Sequence, residues 1–128
     1  MPRTIEYRPT GAHINFHGIV TGVDLFDVND EVFAHDYPGK PQYALLDFTG
    51  AERIDISGAD VQRVAEQDQE DAERIAGVAV VIVAPQTLTF GLARMWEGLV
   101  DPVDLDSGVV RSRPEAVRWL AARGIKIE

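Results

Sequence analysis

Residues 78–84 read Val-Ala-Val-Val-Ile-Val-Ala, seven apolar residues in a row and mostly β-branched. A run this short and this apolar suits a strand covered on both faces, and strands of that kind belong to parallel sheets whose crossovers are helices. A second strand-like run, Tyr43 to Phe48, apolar but for Asp47, stands about thirty residues upstream. The stretch between them, residues 57–76, carries apolar side chains at helical spacing, with Ser57 and Asp60 placed as a capping box at its start and Gly77 as its stop. Strand, helix, strand is therefore the core of the fold, with the two strands side by side at Leu45 and Val81 and their ends leaving toward one edge of the molecule.

The flanking sequence extends that unit in both directions. Ile5-Glu6-Tyr7-Arg8 alternates apolar with polar and runs into Pro9-Thr10-Gly11, a strand entering a turn. Residues 13–20 alternate again, with His13, Asn15 and His17 expected on a wet face opposite Ile14 and Phe16. Two imidazoles so placed on a strand stand about 13 Å apart, too far to share a metal ion, and no metal site is expected. Thr21 and Asp24 open a helix that ends before Pro38-Gly39-Lys40-Pro41, and Thr49-Gly50 reads as a turn after the first buried strand. Residues 87–99 form another helix, residues 101–106 an acidic loop, and residues 109–111 a short strand. Ser112 and Glu115 cap a last helix ending near Gly124. The expectation is a single α/β domain over residues 1–128, with about five strands in a mixed sheet and four helices mainly on one face.

Composition limits the function. The 128 residues hold 12 Lys and Arg against 21 Asp and Glu, a formal charge of −9, which disfavours nucleic acid because phosphate binding draws on basic side chains. There is no cysteine, which removes thiolate metal sites and cysteine nucleophiles. No apolar run approaches the about 20 residues of a membrane-spanning helix, and the first residues lack a signal-peptide pattern, so the expected location is cytoplasmic. No Gly-rich phosphate loop, G-x-S-x-G or His-centred triad is visible, so no enzyme activity and no cofactor are expected.

Leu46-Asp47-Phe48-Thr49-Gly50, followed by Ile54-Asp55-Ile56-Ser57-Gly58, resembles the signature of STAS domains, the fold of bacterial anti-sigma-factor antagonists. The order of Gly77 to Ala84, the Phe90-Gly91-Leu92-Ala93-Arg94-Met95 helix and the segment from Val109 to Leu120 is similar to the SpoIIAA-like branch, so the resemblance covers nearly the whole chain from Thr10. It implies a phospho-regulated protein partner switch, with Ser57 as acceptor on a rim formed by Asp47, Asp55 and Asp60. The same branch has been compared with CRAL-TRIO domains, which implies an apolar ligand or a membrane surface. Ile56 stands where the antagonists have a serine and Asp60 where they have a small or apolar residue. Both departures fall on the kinase-docking rim.

Three groups of residues carry the functional expectations. Ser57 is a helix cap by position, and a phosphate there would meet free amides at the positive end of a helix. The helix at residues 87–99 is too apolar for a simple surface helix; it is either buried or a lid, dimer surface or membrane face, with Phe90, Gly91, Met95 and Trp96 as contacts. Gly91 inside it suggests close packing or a flexible point. Asp68 falls in the middle of an apolar stripe containing Val61, Val64, Ala65, Ala72 and Ile75, and a carboxylate there needs a partner, for which Arg94 is the candidate. The reading favoured on these grounds is a non-enzymatic binding module for an apolar small molecule, lipid or membrane surface, acting peripherally on the membrane in the last case. A protein switch at Ser57 is the alternative, and a homodimer through strand or apolar-helix faces is compatible with both.

Overall fold

A computed structural model describes residues 3–127. Five strands form one sheet in the order β1 (Arg3–Arg8), β2 (Gly11–Thr21), β3 (Tyr43–Asp55), β4 (Ala79–Val83) and β5 (Asp106–Val110). The first pair is antiparallel and the remaining three are parallel. Leu45 lies directly opposite Val81, so the two interior strands do run side by side in one direction. Helices α1 (Gly22–Ala34), α2 (Gly58–Glu70), the single turn α3 (Ala72–Ile75) and α4 (Thr87–Leu99) link the parallel strands, and α5 (Arg113–Ala121) follows the last.

Strand order explains where the helices go. Because the sheet grows in one direction from β2 to β5, crossovers of the usual right hand all land on one face. Val28 and Val32 of α1, Val61 and Ala65 of α2, and Ala93 and Trp96 of α4 accordingly share one core with Ile14, Phe16, Ala44, Phe48, Val80 and Ile82. The alternate residues of the same strands, Tyr43, Leu45, Val81 and Val83, make a second, smaller core with Ala116 and Leu120 of α5 and Ile127. Helices thus lie mainly on one face, as expected, with α5 alone on the other. Two of the three predicted capping boxes are complete, Thr21 with Asp24 and Ser57 with Asp60, while at α5 Ser112 accepts from the Glu115 amide and its hydroxyl donates to the Glu115 carboxylate.

Three local expectations are corrected. Thr49-Gly50 is no turn: β3 runs on through it to Asp55, and the register against β2 slips between Asn15 and His17, where one extra residue of β3 is absorbed as a bulge. Glycine is needed there because a Cβ on Gly50 would press against the Phe16 carbonyl. The long helix of residues 57–76 is two pieces, broken at Asp71, whose amide closes on the carbonyls of Gln67 and Gln69. His13 does not face water. It is 1% exposed, its Nε2 lies 2.8 Å from the Tyr43 hydroxyl, and Arg113 Nη2 lies 3.3 Å from its Nδ1.

The α5 layer closes against β5 through one close approach. A methyl built on Gly108 would overlap the Trp119 indole, and the Arg123 guanidinium lies over that ring, 3.5 Å from its centroid. Gly108→Val is therefore expected to push Trp119 off the sheet and to cost about 1–3 kcal/mol, read as a lowered urea midpoint with a change in Trp119 emission.

Candidate functional site

The face covered by three helices is not filled. Between the sheet and α1, α2 and α4 lies a cavity of about 90 Å3, walled by aliphatic and aromatic side chains such as Leu25, Val28, Phe48, Ile82 and Leu92. Native interiors hold few voids larger than a water molecule. The polar wall positions of this cavity are Asn29, Asp68, Thr89 and the indole of Trp96.

Asp68 is 2% exposed, as its place on the apolar stripe requires. Its Oδ1 accepts from Asn29 Nδ2 of α1 at 2.6 Å and its Oδ2 from Trp96 Nε1 of α4 at 2.8 Å, so this one carboxyl connects all three helices over the cavity. Asn29 Nδ2 also donates to Gln67 Oε1 at 3.0 Å, and Gln67 Nε2 reaches the Phe26 carbonyl at 3.3 Å. Among the described residues no buried side-chain nitrogen or oxygen lacks a partner. Burial pushes the Asp68 carboxyl above the usual carboxylate range and Asp71 adds to the shift, while the bonds from Asn29 and Trp96 pull it back.

The expected Asp68–Arg94 pair is not formed. Arg94 lies on the outside of α4, mostly exposed, with its Nη1 3.2 Å from Glu97 Oε1. Two positions along a helix are about 200° apart, so turning Trp96 inward turns Arg94 outward. The four residues expected to form one contact surface on α4 also separate. Trp96 lines the cavity, Phe90 packs beneath the Arg111 guanidinium at 4.0 Å, and Met95 lies at the surface beside Gly58. Gly91 is exposed, with open space where a Cβ would stand, so close packing is not its reason.

The acidic rim is likewise divided. Asp47 and Asp55 are eight residues apart on one continuous strand, a separation of about 26 Å at extended spacing. Asp47 belongs to the α5 face, where its Oδ1 accepts from the Thr49 amide and its Oδ2 lies 3.5 Å from Arg113 Nη1. Ser57 and Asp60 sit at the far end of the strand, bonded to each other as the α2 cap: Asp60 Oδ2 accepts from the Ser57 amide at 2.9 Å, and Ser57 Oγ from the Asp60 amide at 3.1 Å. Those bonds hold the Asp60 carboxyl below its ordinary range. Asp55, Ser57 and Asp60 are neighbours at that end, and Asp47 is not part of their surface.

The architecture has a counterpart among solved structures. The chain superposes on the crystal structure of an uncharacterized protein from the DUF3478 family, with a SpoIIAA-like fold, from Shewanella loihica PV-4, over 92% of this chain and 91% of that one, at a TM-score of 0.54 and 14% sequence identity. The likeness establishes a SpoIIAA-like α/β fold. No family model matches the chain, and no curated protein matches it by sequence. Among the described residues no helix is long and apolar enough to cross a membrane.

Two outcomes follow for stability. A carboxyl whose folded pKa is raised binds its proton more tightly folded than unfolded, so its contribution falls as pH rises from 3.8 through the folded value. Asp68→Asn, compared with the parent by urea unfolding, should gain relative stability between pH 4 and pH 7; a constant difference across that range would contradict the assignment. Gly91→Ala should raise stability by about 0.5–1 kcal/mol, since the helix gains propensity and the new methyl meets nothing.

Proposed function

We propose that this chain is a binding module that takes a small apolar molecule into the cavity beneath α1, α2 and α4. The observation that carries the reading is the cavity itself: an apolar wall interrupted by a few polar groups, the pattern of small-molecule sites. Occupancy recovers the dispersion contacts that an empty void forfeits, and the hydrophobic gain follows the area covered. The role assigned is capture without turnover. An apolar ligand also matches the polarity of the chain, because the formal charge of −9 repels anionic surfaces while leaving a neutral apolar solute unaffected.

Support for α4 as a membrane-facing element is weaker, since its largest aromatic residues turn inward or under Arg111, leaving Leu88 and Met95 as its exposed large apolar side chains. Ser57 is exposed and sterically open to modification, yet its hydroxyl and amide are both engaged in the cap with Asp60.

Toluene is a suitable first probe, and Trp119→Phe leaves Trp96 as the sole tryptophan. Saturable changes in Trp96 emission are expected on titrating toluene, with about 2.7 kcal/mol of added stability at a hundredfold excess over Kd. Ala93→Phe, which places a ring in the cavity, should abolish both effects while leaving the protein folded by circular dichroism. An unchanged Trp96 signal and unchanged melting in saturating toluene would refute the proposal.

A further inference from the structure

We propose that the cavity selects apolar molecules bearing a hydrogen-bond donor, an alcohol in particular, and that Asp68 is the group that recognises it. The inference rests on the cavity being a ligand site, and adds to it the chemistry of the ligand's polar end.

The argument begins with lone pairs. A carboxyl group offers two oxygens with about four acceptor positions, and the two bonds described above use one position on each oxygen. Further acceptor capacity therefore remains on a group that lines the cavity. The neighbours that hold Asp68 are both neutral donors, the Asn29 amide and the Trp96 indole, and the nearest charge acting on it is Asp71, of the same sign. Gln67 is turned toward Asn29 and the Phe26 carbonyl, and Arg94 is directed outward to Glu97. The Asn29 and Trp96 donors are thus committed to Asp68, whose oxygens are the charged-type acceptor on the cavity wall beside the Thr89 hydroxyl.

Such a site discriminates by what it leaves unsatisfied. A hydroxyl can donate to a free lone pair of Asp68 while its chain lies against the apolar wall. An ether oxygen of the same size brings only acceptors to Asp68 and makes no bond with it. A carboxylate would bring a negative charge into a place of low dielectric, against the acceptor oxygens of Asp68 and without a cation to pair it. The buried acid therefore turns a general apolar void into one with a preferred headgroup, as a site built around a hydrogen bond rejects analogues that cannot make it.

Three eight-carbon or isomeric probes at pH 7.5 separate the cases: 1-octanol, its isomer heptyl methyl ether, and octanoate, each titrated by calorimetry and by Trp96 emission in Trp119→Phe. Octanol should bind at least about tenfold more tightly than either of the others. In Asp68→Asn, checked for folding by circular dichroism, the disadvantage of octanoate should shrink several-fold. Equal binding of octanol and the ether, or preference for octanoate, in the parent protein would overturn the inference while leaving the cavity reading intact. Toluene binding with none of the three probes bound would do the same. Failure of toluene together with all three would remove the cavity reading and this inference with it.

Discussion

A carboxyl group buried where three helices meet is an expensive feature, tolerated in a folded protein when its oxygens are bonded and its surroundings hold their positions. Asp68 meets that condition by joining α1 through Asn29 and α4 through Trp96. The helices gain a shared polar anchor at the cost of holding a titratable group away from water. An anchored trio of helices can stand off the sheet over a void, because their spacing is set by these bonds as well as by side-chain interdigitation. Cavity and carboxyl are in this sense one construction, and the functional reading follows from their being together.

The sheet supplies the other half of that construction. Strand order places all three crossover helices on one face, so a cavity on that face is enclosed by elements from three successive strand–helix units. On the opposite face α5 covers only part of the sheet, and a polar cluster of His13, Tyr43, Arg113 and Asp47 occupies the side next to it. The division gives the α5 face a small apolar core beside a charged cluster, and leaves Asp68 as the buried carboxyl under the three helices. It also sets Asp47 apart from Ser57, so the residues of the antagonist signature do not converge on one surface.

Much of this was legible in the residues. The β-branched run at 78–84 and the mostly apolar run at 43–48 point to a doubly covered parallel pair, and the two Ser/Thr-x-x-Asp boxes mark their helix starts. The anomaly of Asp68 was visible from its spacing, but its partner was not. Charge complementarity points to Arg94, whereas an indole and a primary amide, which carry no charge in the sequence, hold the carboxyl in the fold. The angular separation of Trp96 and Arg94 on one helix was the available signal. Thr49-Gly50 misled because a glycine suits a turn and a bulge equally, and what distinguishes them is the Phe16 carbonyl across the sheet. His13 required knowledge of a second helical layer, which no local pattern announces.

The central claim is that a void able to accept an apolar guest lies beneath α1, α2 and α4. Xenon titration followed on assigned methyl resonances tests it most directly, since xenon enters dry apolar cavities without needing a polar partner. Saturable shifts are predicted for the methyl groups of Val28, Ile82 and Leu92, with those of Val81, Val83 and Leu120 unmoved. Shifts that are absent, or that grow linearly and equally on both faces of the sheet, would contradict it.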